Sequence, residues 1–220
     1  SNFLGPYAFY NSGVTGSLNI PRGTTINDNV FANCVSLTGS LLVDHSSIPA
    51  YAFQNCKFAG PIRIIGSDIG ESAFECTTTP MTFSELIIGQ QWTNVEDFQE
   101  TVNSVSPNTI KRRAFYGVIV SNDLIIHSSI YEIEEYAFAT ARLNTHSEIK
   151  VFSTIIHPYA FSQCQTSTPN GFDLNLHSAQ IKFHAFDGCN INNLKIDAKD
   201  QVKFDYDDSH PIDIQIEEQA

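Results

Sequence analysis

Charge is scarce in this sequence. Only 16% of its 220 residues are Asp, Glu, Lys or Arg, against about 25% in an average domain. What charge there is runs one way, to a net −12. Such a chain lacks the Lys and Arg that displace counterions from phosphates, which argues against nucleic acid as a partner. The same deficit argues against charge-driven binding to anionic lipid. No apolar run reaches the ~18 residues of a membrane helix, so no membrane insertion is expected within this chain. Five Cys are too few for a disulfide-dense scaffold. None forms a Cys-x-x-Cys pair, and no His or Cys cluster has zinc-ligand spacing. None of the 17 Asn stands in Asn-x-Ser/Thr, which weighs against passage through a glycosylating secretory route. The opening SNFLGPYAF has neither the basic start nor the apolar core of a signal peptide. It already follows the pattern of later segments, so the chain is expected to be a piece of a longer protein.

What the sequence does have is repetition. Aligned on one aromatic, it gives Phe9, Phe31, Phe53, Phe74, Phe115, Phe138, Phe161 and Phe186, with gaps of 22, 22, 21, 41, 23, 23 and 25. Ala precedes seven of the eight, and Val30 precedes Phe31. Five residues before seven of them lies an Ile: Ile26, Ile48, Ile69, Ile110, Ile133, Ile156 and Ile181. A fixed period of this length is the signature of a solenoid, with these eight Phe as its expected repeat core. The second half of each unit is an apolar-x-apolar triplet, from Leu18-Asn19-Ile20 through Leu41-Leu42-Val43 and Ile62-Arg63-Ile64 to Leu194-Lys195-Ile196. Period-2 alternation marks a short strand, inward at its ends and outward in its middle. A degenerate ninth unit places Tyr206 at the Phe position and Ile214-Gln215-Ile216 at the triplet.

These units resemble the BspA-like leucine-rich repeat: IPAYAFQNCKFAGPIRI and IKFHAFDGCNINNLKI follow its Ile-x-x-x-Ala-Phe-x-x-Cys pattern, then a short strand. The last unit departs by losing Ala-Phe, and the Phe74–Phe115 unit by its length. The resemblance implies a leucine-rich-repeat solenoid, a β-rich member of the horseshoe class. It would be a single domain over residues 1–220, with about nine coils and one parallel sheet on the concave face. Turns, short 3-10 pieces or extended backbone are expected on the opposite side. The resemblance also implies a cell-surface or secreted adhesion and recognition module, antigen-like and without catalysis. Its partner would be a protein or a glycan, host-derived ones included. An intracellular protein-protein interaction scaffold in the cytoplasm is the alternative, favoured by the absent glycosylation sites.

Candidate sites divide between chemistry and packing. Cys34, Cys56, Cys164 and Cys189 lie three residues after their Phe, and Cys76 two after Phe74. Neighbours one coil apart, Cys34 with Cys56 or Cys164 with Cys189, are near enough for a bridge, and all suit a small buried apolar position. His45, His127 and His177 fall just past strand ends, too far apart to converge on one metal. Adjacent carboxylates such as Glu134-Glu135 face opposite ways on extended backbone, which suits solvation rather than acid-base work. No nucleophile elbow or phosphate loop occurs. No cofactor or metal is expected, and no enzyme. In the long unit, Val95, Phe98, Val102 and Val105 form one face behind a capping box at Thr93-x-x-Glu96, which predicts an inserted helix at about 90–108. That insert, with Trp92 and Phe98, either recognises a partner or packs on the solenoid. The remaining surface is the outward row Asn19, Leu42, Arg63, Ile87, Ile125, Lys150, Asn175, Lys195 and Gln215, the expected partner-binding face.

Overall fold

A computed structural model describes residues 2–89, 108–143, 148–152, 155–166, 171–177, 179–196 and 202–205. All eight triplets within that range join one parallel sheet, and the strands that carry them are Leu18–Ile20, Leu41–Asp44, Ile62–Ile65, Leu86–Ile88, Leu124–Ile126, Glu148–Phe152, Phe172–His177 and Ile191–Ile196. Their registers match triplet to triplet, so Leu18 faces Leu41, Leu41 faces Ile62 and Ile62 faces Leu86. The protein is a parallel β-solenoid of about seven turns. The ninth unit and the predicted helix over 90–108, with Trp92, Phe98 and Gln215, lie outside the described residues. Among the described residues there is no helix.

The core follows from the repeat. Phe31, Phe53, Phe74, Phe115, Phe138, Phe161 and Phe186 are all buried. With Phe9 they form one continuous pile of parallel rings, centroids 4.8–5.6 Å apart. Phe74 meets Phe115 at 4.8 Å, so the extra length of that unit leaves the stack unbroken. The Ile row from Ile26 to Ile181 lines the second wall, and every member is buried. Phe9 corrects the expectation of a core role: 37% of its surface is exposed. It belongs to the first described coil, where its ring stacks on Phe31.

The single sheet needs a second correction. Parallel pairing also runs down the Ile row, in a five-stranded sheet from Asn108–Ile110 to Lys203–Phe204. A four-stranded sheet joins Thr82–Phe83, Ile119–Val120, Arg142–Leu143 and Gln165–Thr166, and Asn2–Leu4 pairs with Thr24–Ile26. The cause is geometric. Every stretch in a solenoid runs beside its equivalent in the next coil, so any two extended residues can pair their peptide groups across.

At the Phe corner the backbone forms turns, and no 3-10 helix appears among the described residues. Residues two before each Phe all take positive φ, between 52° and 60°, at Tyr7, Asn29, Tyr51, Ser72, Arg113, Tyr136, Tyr159 and His184. Most positions two after the Phe do the same, including Asn11, Asn33, Asn55 and Gln163. A left-handed residue on each side interrupts any helical run. It also sorts the N–H groups into two sets. Those of Ala52, Gln54 and Cys56 bond back three residues within the coil, while those of Tyr51, Phe53 and Asn55 reach carbonyls of the next coil at 2.9–3.0 Å. No N–H from Tyr51 to Cys56 is left over.

Candidate functional site

The outward middle positions come together as one row. Asn19 faces Leu42, then follow Arg63, Ile87, Ile125, Lys150, Asn175 and Lys195, each opposite the next across the sheet. Their inward neighbours, such as Ile62, Ile64, Leu86 and Ile88, have no exposed surface, which fixes the outward direction of the row. Asn19, Arg63 and Lys195 are exposed, while Leu42, Ile87, Ile125, Lys150 and Asn175 are half-buried. The centre of the row is therefore apolar and partly sheltered by its own neighbours.

A flanking row was missed in the sequence. One residue before the triplets, period 2 again points outward, and there stand Glu85, Asp123 and Asp173. Arg63 Nη2 lies 3.3 Å from Glu85 Oε2, and Asp173 Oδ1 accepts Nδ2–H bonds from Asn192 and Asn193 at 3.0 and 2.8 Å. Arg63 of the middle row thus lies beside an acid, and the face carries both signs. The alternation that located the middle row could also have found this one.

Past the triplets, His127 stacks on Phe152 at 5.7 Å and Phe152 on His177 at 4.4 Å. Phe152 separates the two imidazoles, so they hold no metal between them. Burial pushes the His127 imidazole below its ordinary range, and its Nδ1 has no hydrogen-bond partner. A neutral ring packed on an aromatic fits both facts. His45 instead meets its neighbour Asp44. No group of three metal-ligating side chains occurs among the described residues.

The Phe corner is held by charge as well as packing. Glu134 corrects the reading of a freely solvated pair with Glu135: its carboxylate pairs with Lys111 Nζ at 2.8 Å and accepts the Arg112 N–H at 2.9 Å. Glu135 stays exposed. Arg113 pairs with the nearly buried Glu75, and Arg113 also lies 3.9 Å from the Tyr116 ring centroid.

The family model for the BspA type leucine rich repeat region matches in 6 copies, over residues 2–99 and 90–205. The chain belongs to the BspA-type leucine-rich repeat family. No curated protein and no solved structure matches it. Membership makes a repeat module for protein interaction or adhesion the family-level reading. No helix among the described residues is long and apolar enough to cross a membrane.

The Cys of the BspA-type unit has a geometric role here. All five thiols are free. Cys34, Cys56, Cys164 and Cys189 donate their S–H to the carbonyls of Phe9, Phe31, Phe138 and Phe161 in the preceding coil, at 2.8–3.2 Å. Each thiol points at a backbone oxygen, so the bridged alternatives Cys34–Cys56 and Cys164–Cys189 are not formed. Burial pushes the thiols of Cys56, Cys76 and Cys164 up from their ordinary value, which removes them as nucleophiles at neutral pH.

Proposed function

We propose that this BspA-type domain is a non-catalytic recognition and adhesion module at a cell surface or in secreted form. On this reading it holds a protein or glycan partner, host-derived ones included, on the eight-stranded face. The observation that supports it is the unbroken row from Asn19 to Lys195. Eight strands at about 4.8 Å apart present a strip roughly 34 Å long, a span suited to an extended partner rather than a small molecule. Apolar Leu42, Ile87 and Ile125 supply the contact area, while Arg63, Lys150 and Lys195 with the acidic row set orientation. Recognition by shape and mixed charge needs no cofactor and no metal. Trp92 and Phe98 offer the competing location.

The test is a binding screen against immobilised glycans and proteins, followed by variants on whatever binds. Arg63→Glu with Lys150→Glu is expected to weaken binding on the order of tenfold, with circular dichroism and the thermal midpoint unchanged. Glu135→Lys, at the opposite corner, is expected to leave binding intact. Glu134 is not a fair control, because it ties Lys111 to the Arg112 backbone. Equal losses in the two cases would reject the sheet face. So would losses confined to Trp92→Ala and Phe98→Ala, which would place the site on the insert.

An intracellular scaffold for protein-protein interaction is the second reading, and the thiol geometry favours it. Five free thiols, four of them aimed at Phe carbonyls, suit a reducing compartment. Under this reading the glycan arm of the screen stays blank, and the protein arm responds to the same variants.

A further inference from the structure

The unit of Phe74 is longer between its Cys and its strand than the two units before it. Leu41 follows Cys34 by seven residues and Ile62 follows Cys56 by six, but Leu86 follows Cys76 by ten. The core on either side keeps its usual packing. Phe83 meets Phe74 edge-on at 6.2 Å, as Phe58 meets Phe53 at 5.8 Å, and Met81 and Phe83 are buried. The extra residues are therefore displaced outward as one loop, Thr77-Thr78-Thr79-Pro80, and all four are exposed.

The base of this loop is fixed. Thr77 donates its backbone N–H and its hydroxyl to Asn55 Oδ1, at 2.9 and 3.2 Å. Lys57 Nζ donates to the Thr79 carbonyl at 2.8 Å. The hydroxyls of Thr78 and Thr79 have no hydrogen-bond partner among the described residues. Pro80 disfavours helical backbone at Thr79 and favours the extended form. The loop thus offers two unengaged hydroxyls on accessible backbone.

The composition recurs. The chain holds two runs of three consecutive Ser or Thr, at residues 77–79 and 166–168, and a Pro follows each. Both runs come just after the Cys of their unit. The second falls largely outside the described residues and is not part of the site.

We propose that Thr78 and Thr79 are acceptors for an O-linked sugar. Ser- and Thr-rich segments with Pro are the composition that carries O-glycans, and these are the two hydroxyls of the loop that packing leaves available. In the step, a Thr Oγ attacks C1 of a nucleoside-diphosphate sugar held by a transferase. The Oγ–C1 bond forms and the bond from C1 to the diphosphate oxygen breaks. The hydroxyl proton passes to a base of the transferase, and the nucleoside diphosphate leaves. A neutral sugar adds no charge, whereas a phosphate would bring about −1.5 to −2 to a chain already at −12. The loop shares no residue with the outward row of the sheet, so this proposal stands or falls apart from the recognition reading.

The test is fragmentation mass spectrometry of the chain isolated from the cells that make it, under conditions that keep O-linked groups attached. A hexose or N-acetylhexosamine increment is expected on Thr78 or Thr79. Thr78→Val with Thr79→Val is expected to abolish it, with circular dichroism unchanged. A chain without sugar, sugar confined to other residues (Thr77 included), or phosphate on Thr78 or Thr79 would overturn the proposal. So would an increment that survives the double variant.

Discussion

Phe53→Ala is expected to destabilise the protein by ~3–5 kcal/mol, seen as a fall of about 1–1.5 M in the urea midpoint. Phe53 has no exposed surface. Its ring lies between those of Phe31 and Phe74, at 5.6 and 5.2 Å, and meets Phe58 edge-on at 5.8 Å. Truncation removes stacking on both sides at once. The neighbouring coils cannot close the gap, because their backbones are bonded at fixed spacing through Phe31 N–H to Ala52 O and Phe53 N–H to Ala73 O, each 2.9 Å. Phe9→Ala, the same change at the open end of the pile, is expected to cost half as much or less, since a partly exposed ring loses less transfer free energy. Equal losses at the two positions would contradict the stack.

Ala137→Leu should act in the opposite sense, by overfilling. Ala137 lies between Ala114 and Ala160, and none of the three has exposed surface. The coils meet directly there, with Phe115 N–H on Ala137 O and Phe138 N–H on Ala160 O, both at 2.8 Å. Three added carbons have no room at that separation, and a cost of about 1–3 kcal/mol or more is expected from the urea midpoint. Ala8, at the equivalent place in the first coil, is exposed. Ala8→Leu is expected to be near neutral. An unchanged midpoint for Ala137→Leu would mean that Ala is present for propensity rather than space.

The contrast between these sites shows what the sequence discloses. The Ala-Phe register and the apolar triplets locate every strand of the eight-stranded sheet, because stacked coils must bury the same positions in each turn. The row from Asn19 to Lys195 follows from the same alternation. The backbone of the Phe corner does not. Tyr51, Arg113, Tyr136 and Tyr159 take positive φ, although no local preference of those residue types asks for it. The stack imposes that conformation, since turn N–H groups of the corner must reach the next coil. Tertiary hydrogen bonding outweighs a cost of roughly 1–2 kcal/mol per residue.

End effects were also invisible. Phe9 sits in the same motif as Phe53, and only the covering coil distinguishes a core ring from an exposed one. The alignment of His127, Phe152 and His177 depends on where each strand ends relative to its neighbours, which the triplets alone do not specify. The pairing of Glu134 with Lys111 likewise spans two coils. A sequence reading that treats Glu134 and Glu135 as one adjacent pair cannot separate their roles.

The central claim is that recognition takes place on the outward face of the eight-stranded sheet, and carboxylate footprinting tests it most directly. Glu85, Asp123 and Asp173 border the middle row at intermediate exposure, whereas Glu135 is exposed at the Phe corner. Carbodiimide labelling of the chain, alone and saturated with a binder from the screen, reads all four by mass spectrometry. The account predicts that labelling of Glu85, Asp123 and Asp173 falls at least severalfold on binding while Glu135 reacts as before. Protection of Glu135 with the three sheet-face carboxylates unchanged would contradict it.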